Sequence, residues 1–114
     1  MTLEDFYTEV LQKLGVLAAE ESPSAADRLI SKNKYEQVHA EFSRRDIVPW
    51  FDDEDVPNWA SDAFSIIVAS RLAKTFGLPA DKRAELKGDE VAAITTIVAD
   101  GQRRESRSNE TIYY

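Results

Sequence analysis

Residues 57–77 read PNWASDAFSIIVASRLAKTFG, a stretch in which Ala60, Ala63, Phe64, Ile66, Ile67, Val68, Ala69, Leu72, Ala73 and Phe76 are apolar. Wound into an α-helix, these residues leave almost no polar side, and a helix that is greasy all round has to be buried by the rest of its protein. Its ends carry punctuation. Asp55 is placed to cap the first turn, Pro57 suits the first helical position because its missing amide hydrogen costs no bond there, and Gly77 followed by Pro79 stops the run. About 20 residues rising about 1.5 Å each make a rod of about 30 Å, long enough for neighbouring segments to pack along it. Asp62, Arg71 and Lys74 interrupt it, so it reads as the centre of a protein core and not as a membrane span.

The flanking segments read as covers for this rod. Upstream, Leu3, Phe6, Tyr7, Val10, Leu11 and Leu14 recur at helical spacing, with Thr2 as N-cap, Asp5 in the opening turn and Gly15 as the stop. A turn-rich connection, Glu20-Glu21-Ser22-Pro23-Ser24, leads to a second helix from Ala25 to about Arg45, capped by Ser24. Its stripe of Leu29, Ile30, Tyr35, Val38 and Phe42 is broad and diluted, so one face is expected on the core and the other in water or on a partner. Residues 46–51, DIVPWF, are extended by the Val-Pro step and run into four consecutive acids, with Trp50 and Phe51 expected as anchors into the core. Downstream, a last helix opens at Pro79-Ala80-Asp81 and runs to about Gln102, at most Glu105, with Leu86, Val91, Ala92, Ile94, Ile97 and Val98 on its apolar face and Gly88 as a weak point. The expected architecture is all-α: a four-helix bundle-like domain over residues 1–105 and an extended C-terminal arm over residues 106–114.

With 114 residues there is room for one modest core. The chain has no cysteine, which excludes disulfides and thiolate metal sites. Glu4 and Asp5 stand where a signal peptide would carry basic residues, so synthesis and retention in a cytoplasm are expected. A net charge of −7 argues against a general nucleic-acid binder, whose affinity comes mainly from neutralising phosphates, and no sequence-specific nucleic-acid contact is expected. The charge is uneven, however: the last dozen positions carry a net +1 and the body before them −8.

Candidate chemistry is sparse. The run Asp52-Asp53-Glu54-Asp55 lacks the alternating ligands and the glycine of a calcium loop, and favourable charge at the start of the central helix accounts for it without a metal. His39, the single histidine, has no assignable nucleophile, and reads as a helix-surface or core-edge imidazole. The four glycines are isolated, so there is no phosphate loop; no catalytic, cofactor or metal site is assigned, and an enzyme is not expected. Trp50, Phe51 and Trp59 flank the acid run, either closing one end of the bundle or serving as interface anchors. The tail carries the sharpest signal. Arg103, Arg104 and Arg107 can reach phosphates or carboxylates, and Ile112, Tyr113 and Tyr114 join β-propensity to amphipathic rings that fill pockets on another surface. A terminus too polar to fold alone, yet ending in Ile-Tyr-Tyr, reads as an arm that orders on assembly.

The order of features is similar to that of a known family. LGVLAAEESPSAAD at residues 14–27, a long second helix, WFDDEDVPNWASDAFSIIVASRLAKTFGLP at residues 50–79, a last helix and an arginine-containing tail ending in Tyr-Tyr together resemble the small head-to-tail adaptor, or connector, proteins of tailed bacteriophages, a class that includes head-completion factors. The resemblance covers nearly the whole chain and rests on helix order, the Gly-Val-Leu step with its Glu-x-Pro turn, the Val-Ala-x-x-Leu-Ala centre and the aromatic end. It implies a structural virion protein of the neck, made in the host cytoplasm and assembled as a dodecameric ring below the portal protein, where it extends the DNA channel and docks tail or neck proteins. By position it assigns Arg103 through Tyr114 to contacts with the portal or a neighbouring subunit. A cell-wall hydrolase activity assigned to one short-tailed-phage member is not carried over, because no acid pair here stands in a recognisable setting. The competing expectation is a small acidic helical regulator that binds a cellular protein.

Overall fold

The computed structural model describes the backbone of residues 1–112 and the side chains as far as Arg103. Four helices follow one another: α1, Leu3–Lys13; α2, Ala25–Arg44; α3, Asn58–Leu72; and α4, Ala80–Ile112. There is no strand among the described residues, and the architecture is all-α. The N-caps of the first two helices are those the sequence marks: Thr2 accepts from the Asp5 amide and Ser24 from the Asp27 amide, each at 3.1 Å.

Three helix ends close in the same way. After α1 the Val16 amide reaches back to the Leu11 carbonyl and the Gly15 amide to Gln12, the two crossed bonds of a Schellman closure around a left-handed residue, Gly15, at φ 76°. Past the end of α3 the amides of Leu78 and Gly77 bond to the carbonyls of Ala73 and Lys74, with Gly77 at φ 71°. A Cβ at either glycine would meet nothing within 4 Å, so it is the positive φ and not crowding that calls for glycine. After α2 the closure repeats with Ile47 to Phe42 and Asp46 to Ser43, but the left-handed position, φ 56°, is held by Asp46. The chain between Leu72 and Gly77 stays coiled: the Ala73 amide tightens onto Ser70, and Phe76 bonds Leu72. α3 itself thus ends at Leu72, short of the expected stop, and Gly77 closes the turns that follow it.

The start of α3 differs from expectation. Asp55 is exposed and caps nothing; Pro57 occupies the N-cap, and no side chain bonds the first turn. The cause is Val56, which is wholly buried and pairs its backbone with Met1, the Val56 amide to the Met1 carbonyl and the Met1 nitrogen to the Val56 carbonyl, both at 2.9 Å. That pairing turns the chain into α3 through Pro57 and leaves the Asp55 carboxylate in water.

α3 is the hub. It packs against α1, α2 and α4, while α4 touches no helix but α3 among the described residues. Phe64, Ile67, Val68 and Ala69 are wholly buried at its centre. Around Phe64 the rings of Trp50, Tyr35 and Phe42 stand edge-on at 5.3–5.9 Å, the arrangement aromatic quadrupoles favour. Ser31, also wholly buried, donates to the Tyr7 carbonyl and lets α2 lie close on α1. Leu29, expected in the α2 stripe, is half-exposed, and its place on the inner face is taken by Ser31 and His39.

The last helix is longer than the sequence pattern suggests. The helix runs on past Glu105 to Ile112, and the side chains of the arm expected over residues 106–114 lie outside the described residues. No proline follows Pro79, and the charged residues of 102–110 are helix formers that need no apolar periodicity to stay wound. Thirty-three residues make a rod of about 50 Å, which accounts for the 52 Å long axis of the molecule. Its inner face is Leu86, Glu90, Ala93, Ile94 and Ile97; Val91 and Ala92, expected inside, are exposed.

Candidate docking surface

A buried carboxylate ties α4 down. Glu90 lies on the inner face of α4 with 4% of its side chain exposed, between apolar neighbours one turn away on either side. Arg71 of α3 meets it, Nε donating to Glu90 Oε1 at 2.6 Å, and a second guanidinium nitrogen donates to Glu41 Oε2 of α2 at 3.2 Å. Lys87 reaches the other oxygen of Glu90 at 3.3 Å. Burial works against the Arg71 charge, yet the hydrogen bonds to Glu90 and Glu41 outweigh it and hold the pKa above the usual arginine value. Arg71 thus links three helices, including α2 and α4, which otherwise do not touch.

On the other side of α3 no such tie exists among the described residues, and a groove opens between the end of α1 and the first half of α4. Ile66 of α3, Leu14 of α1, Leu78 and Pro79 of the connection and Leu86 of α4 give it apolar walls around about 570 Å³. A second depression of about 210 Å³ runs on along α4, lined by Ala63, Ala92 and Ala93, and shares Ile66 and Asp89 with the first. The rim is charged and mostly paired: Lys13 lies 2.7 Å from Asp62 and 3.6 Å from Glu9, and Lys82 lies 3.8 Å from Glu85. Asp89, which lines both parts, makes no ion pair among the described residues. Beyond it the outer surface of α4 leaves Val91 62% exposed.

The residues singled out in the sequence fall into three places. Trp50 is an anchor: it is buried, and its Nε1 donates to the Tyr35 hydroxyl at 3.0 Å. Phe51 is not, being 69% exposed at the start of the turn closed by the Glu54 amide on the Phe51 carbonyl. Trp59 is half-buried and stacks edge-on against Trp50 at 6.1 Å. His39 is a core-edge imidazole whose Nε2 lies 2.7 Å from the Trp50 carbonyl and donates to it. The acids of residues 52–55 are all exposed, and among the described residues no group of three or more potential ligands converges on a point that could hold a metal ion.

Of the tail, Arg103 is exposed and pairs with Asp100 one turn back at 2.9 Å. The side chains of Arg104, Arg107 and Ile112, and the whole of Tyr113 and Tyr114, lie outside the described residues. Sequence reasoning missed the Arg71 link and the groove. The first left a signal, since a glutamate at the centre of an apolar face needs a cation opposite; the second is assembled from three distant segments and left none.

No family model, curated protein or solved structure matches the chain. Among the described residues no helix is long and apolar enough to cross a membrane.

Proposed function

We propose that this protein is a structural adaptor of a bacteriophage neck, a subunit that assembles into a ring below the portal protein, extends the DNA channel and offers tail proteins a surface to dock on. The observation that carries this reading is α4: a rod of about 50 Å fastened to the molecule along one side only, with an apolar groove beside it and Val91 uncovered on its outer surface. Surfaces of that kind serve association between proteins. The sequence resemblance supplies the setting, a virion neck formed in the host cytoplasm. The charge is compatible with it, because an acidic lining repels DNA and lets it slide, and the body carries −8. The role is one of assembly, with no catalytic, cofactor or metal site assigned.

Electron microscopy of the purified protein mixed with a portal protein tests the reading. Ring-shaped density seated on the portal is expected. A portal left bare, with the chain instead captured one-to-one by a host protein, would overturn it in favour of the acidic regulator.

A further inference from the structure

We propose that the groove between α1 and α4 receives an amphipathic helix of another protein, one that carries a basic residue midway along an apolar stripe. The proposal rests on the reading of the protein as an adaptor, and supplies the surface and the partner chemistry that this reading leaves open.

The shape calls for a helix. α1 and α4 each pack on α3 but share no contact among the described residues, so the groove has α3 as its floor, α4 as a wall along its length and the end of α1 as a second wall at one end. Its two parts join at Ile66 and Asp89 and follow α4 from Lys82 to Thr96, about 21 Å of helix axis. A compact ligand would leave much of that length uncovered, whereas about four turns of helix cover it. Laying an apolar helical face in such a trough is a recurring mode of recognition. The incoming helix would lie on α3 as one more member of the bundle and cover Ile66 and Leu86, both left half-buried by the chain's own packing.

The charge calls for a cation. Acids outnumber lysines among the lining residues, Asp62, Glu85 and Asp89 against Lys13 and Lys82. Lys13 is already held by Asp62 and Glu9, and Lys82 by Glu85. Asp89 is exposed where the two parts join and makes no ion pair among the described residues. An arginine on the incoming helix gives this carboxylate a directed, charge-assisted partner, whereas an acid at that place meets a like charge with nothing to neutralise it. The net charge of −7 draws basic partners in the same sense.

A synthetic peptide of about 16 residues, with one leucine stripe and a single central arginine on an alanine and glutamine background, is titrated into the full-length chain and followed through the methyl resonances of Ile66 and Leu86. Saturable shifts of both are expected, and a peptide with glutamate in place of the arginine should bind about tenfold more weakly. Asp89→Lys, checked for a native melt, should invert that preference, and Asp89→Asn should abolish it. Groove methyls that do not move, equal shifts with a peptide of the same composition in scrambled order, or an arginine preference that survives Asp89→Asn would overturn the proposal. So would methyl shifts that vary with the concentration of the chain alone, which would give the groove to a second copy. Portal binding by microscopy is read separately: rings on the portal with a groove indifferent to the peptide would retain the adaptor reading and discard the helix in the groove, while a groove that takes the peptide beside a bare portal would do the reverse.

Discussion

Asp46 is the one non-glycine residue with a positive φ among the described residues, and it holds a position that Gly15 and Gly77 hold at the other two closures. Left-handed backbone costs a residue with a Cβ roughly 1–2 kcal/mol, part of which glycine returns to the unfolded chain as entropy. Asp46→Gly is therefore expected to stabilise the fold by about 0.5–1 kcal/mol, read as a rise of a few degrees in Tm. The closures at Gly15 and Gly77 were legible in the sequence because glycine announces them; the one at Asp46 was not, since aspartate is as common in any loop. Tyr35 offers a second test at this scale. Burial pushes its hydroxyl up to about 12, only partly offset by the hydrogen bond from Trp50. A folded-state value above the unfolded one near 10 means a contribution to stability that is complete below about pH 10 and is lost as pH rises toward 12. Tyr7 is raised too, also chiefly by burial, and adds in the same sense. Alkaline unfolding followed by tyrosinate absorbance should show Tyr35 ionising with the loss of structure, and Tyr35→Phe should remove that part of the pH dependence. The same substitution leaves the Trp50 indole without its acceptor and should cost about 1–3 kcal/mol at neutral pH.

Between elements, the informative contact is the one that couples α4 to the rest. Arg71→Met leaves Glu90 buried with only Lys87 in reach, and an unpaired buried charge costs about 3–5 kcal/mol. The remaining lysine sets the expectation at the lower end, about 3 kcal/mol in denaturant unfolding. Arg71→Met with Glu90→Leu should recover most of that loss, as replacing both ions with apolar side chains usually does; a double variant as weak as the single one would mean that the ions contribute by geometry and not by mutual neutralisation. The central helix was readable because its apolar run admits no exposed face, and Ile67 and Phe64 are indeed wholly buried. The inner face of α4 was only half-readable. Counting apolar residues placed Val91 and Ala92 inside, whereas the helix turns on a register fixed by Glu90, a residue that hydrophobicity alone would assign to solvent.

For the molecule as a whole, the tail and the body make separable predictions. Deleting residues 106–114 removes the last part of α4, far along the rod from the buried contacts of α3, and should leave Tm within a few degrees of the full chain; under the proposed adaptor role it should also abolish incorporation into the portal complex. A truncated protein that still joined the ring would dismiss the arm as the connecting element, and one that failed to fold would make it part of the core. The attachment of α4 through α3 alone has one more consequence, which belongs to cooperativity. α1, α2 and α3 each touch both of the others, so none of them can leave without exposing two surfaces, but α4 departs by giving up a single one. Amide hydrogen exchange in mild denaturant should therefore divide the molecule into two units. The amides of 84–97 should open together at a lower free energy than those of 62–72, whose exchange waits on global unfolding; one common exchange free energy would mean that α4 leaves only with the rest of the molecule.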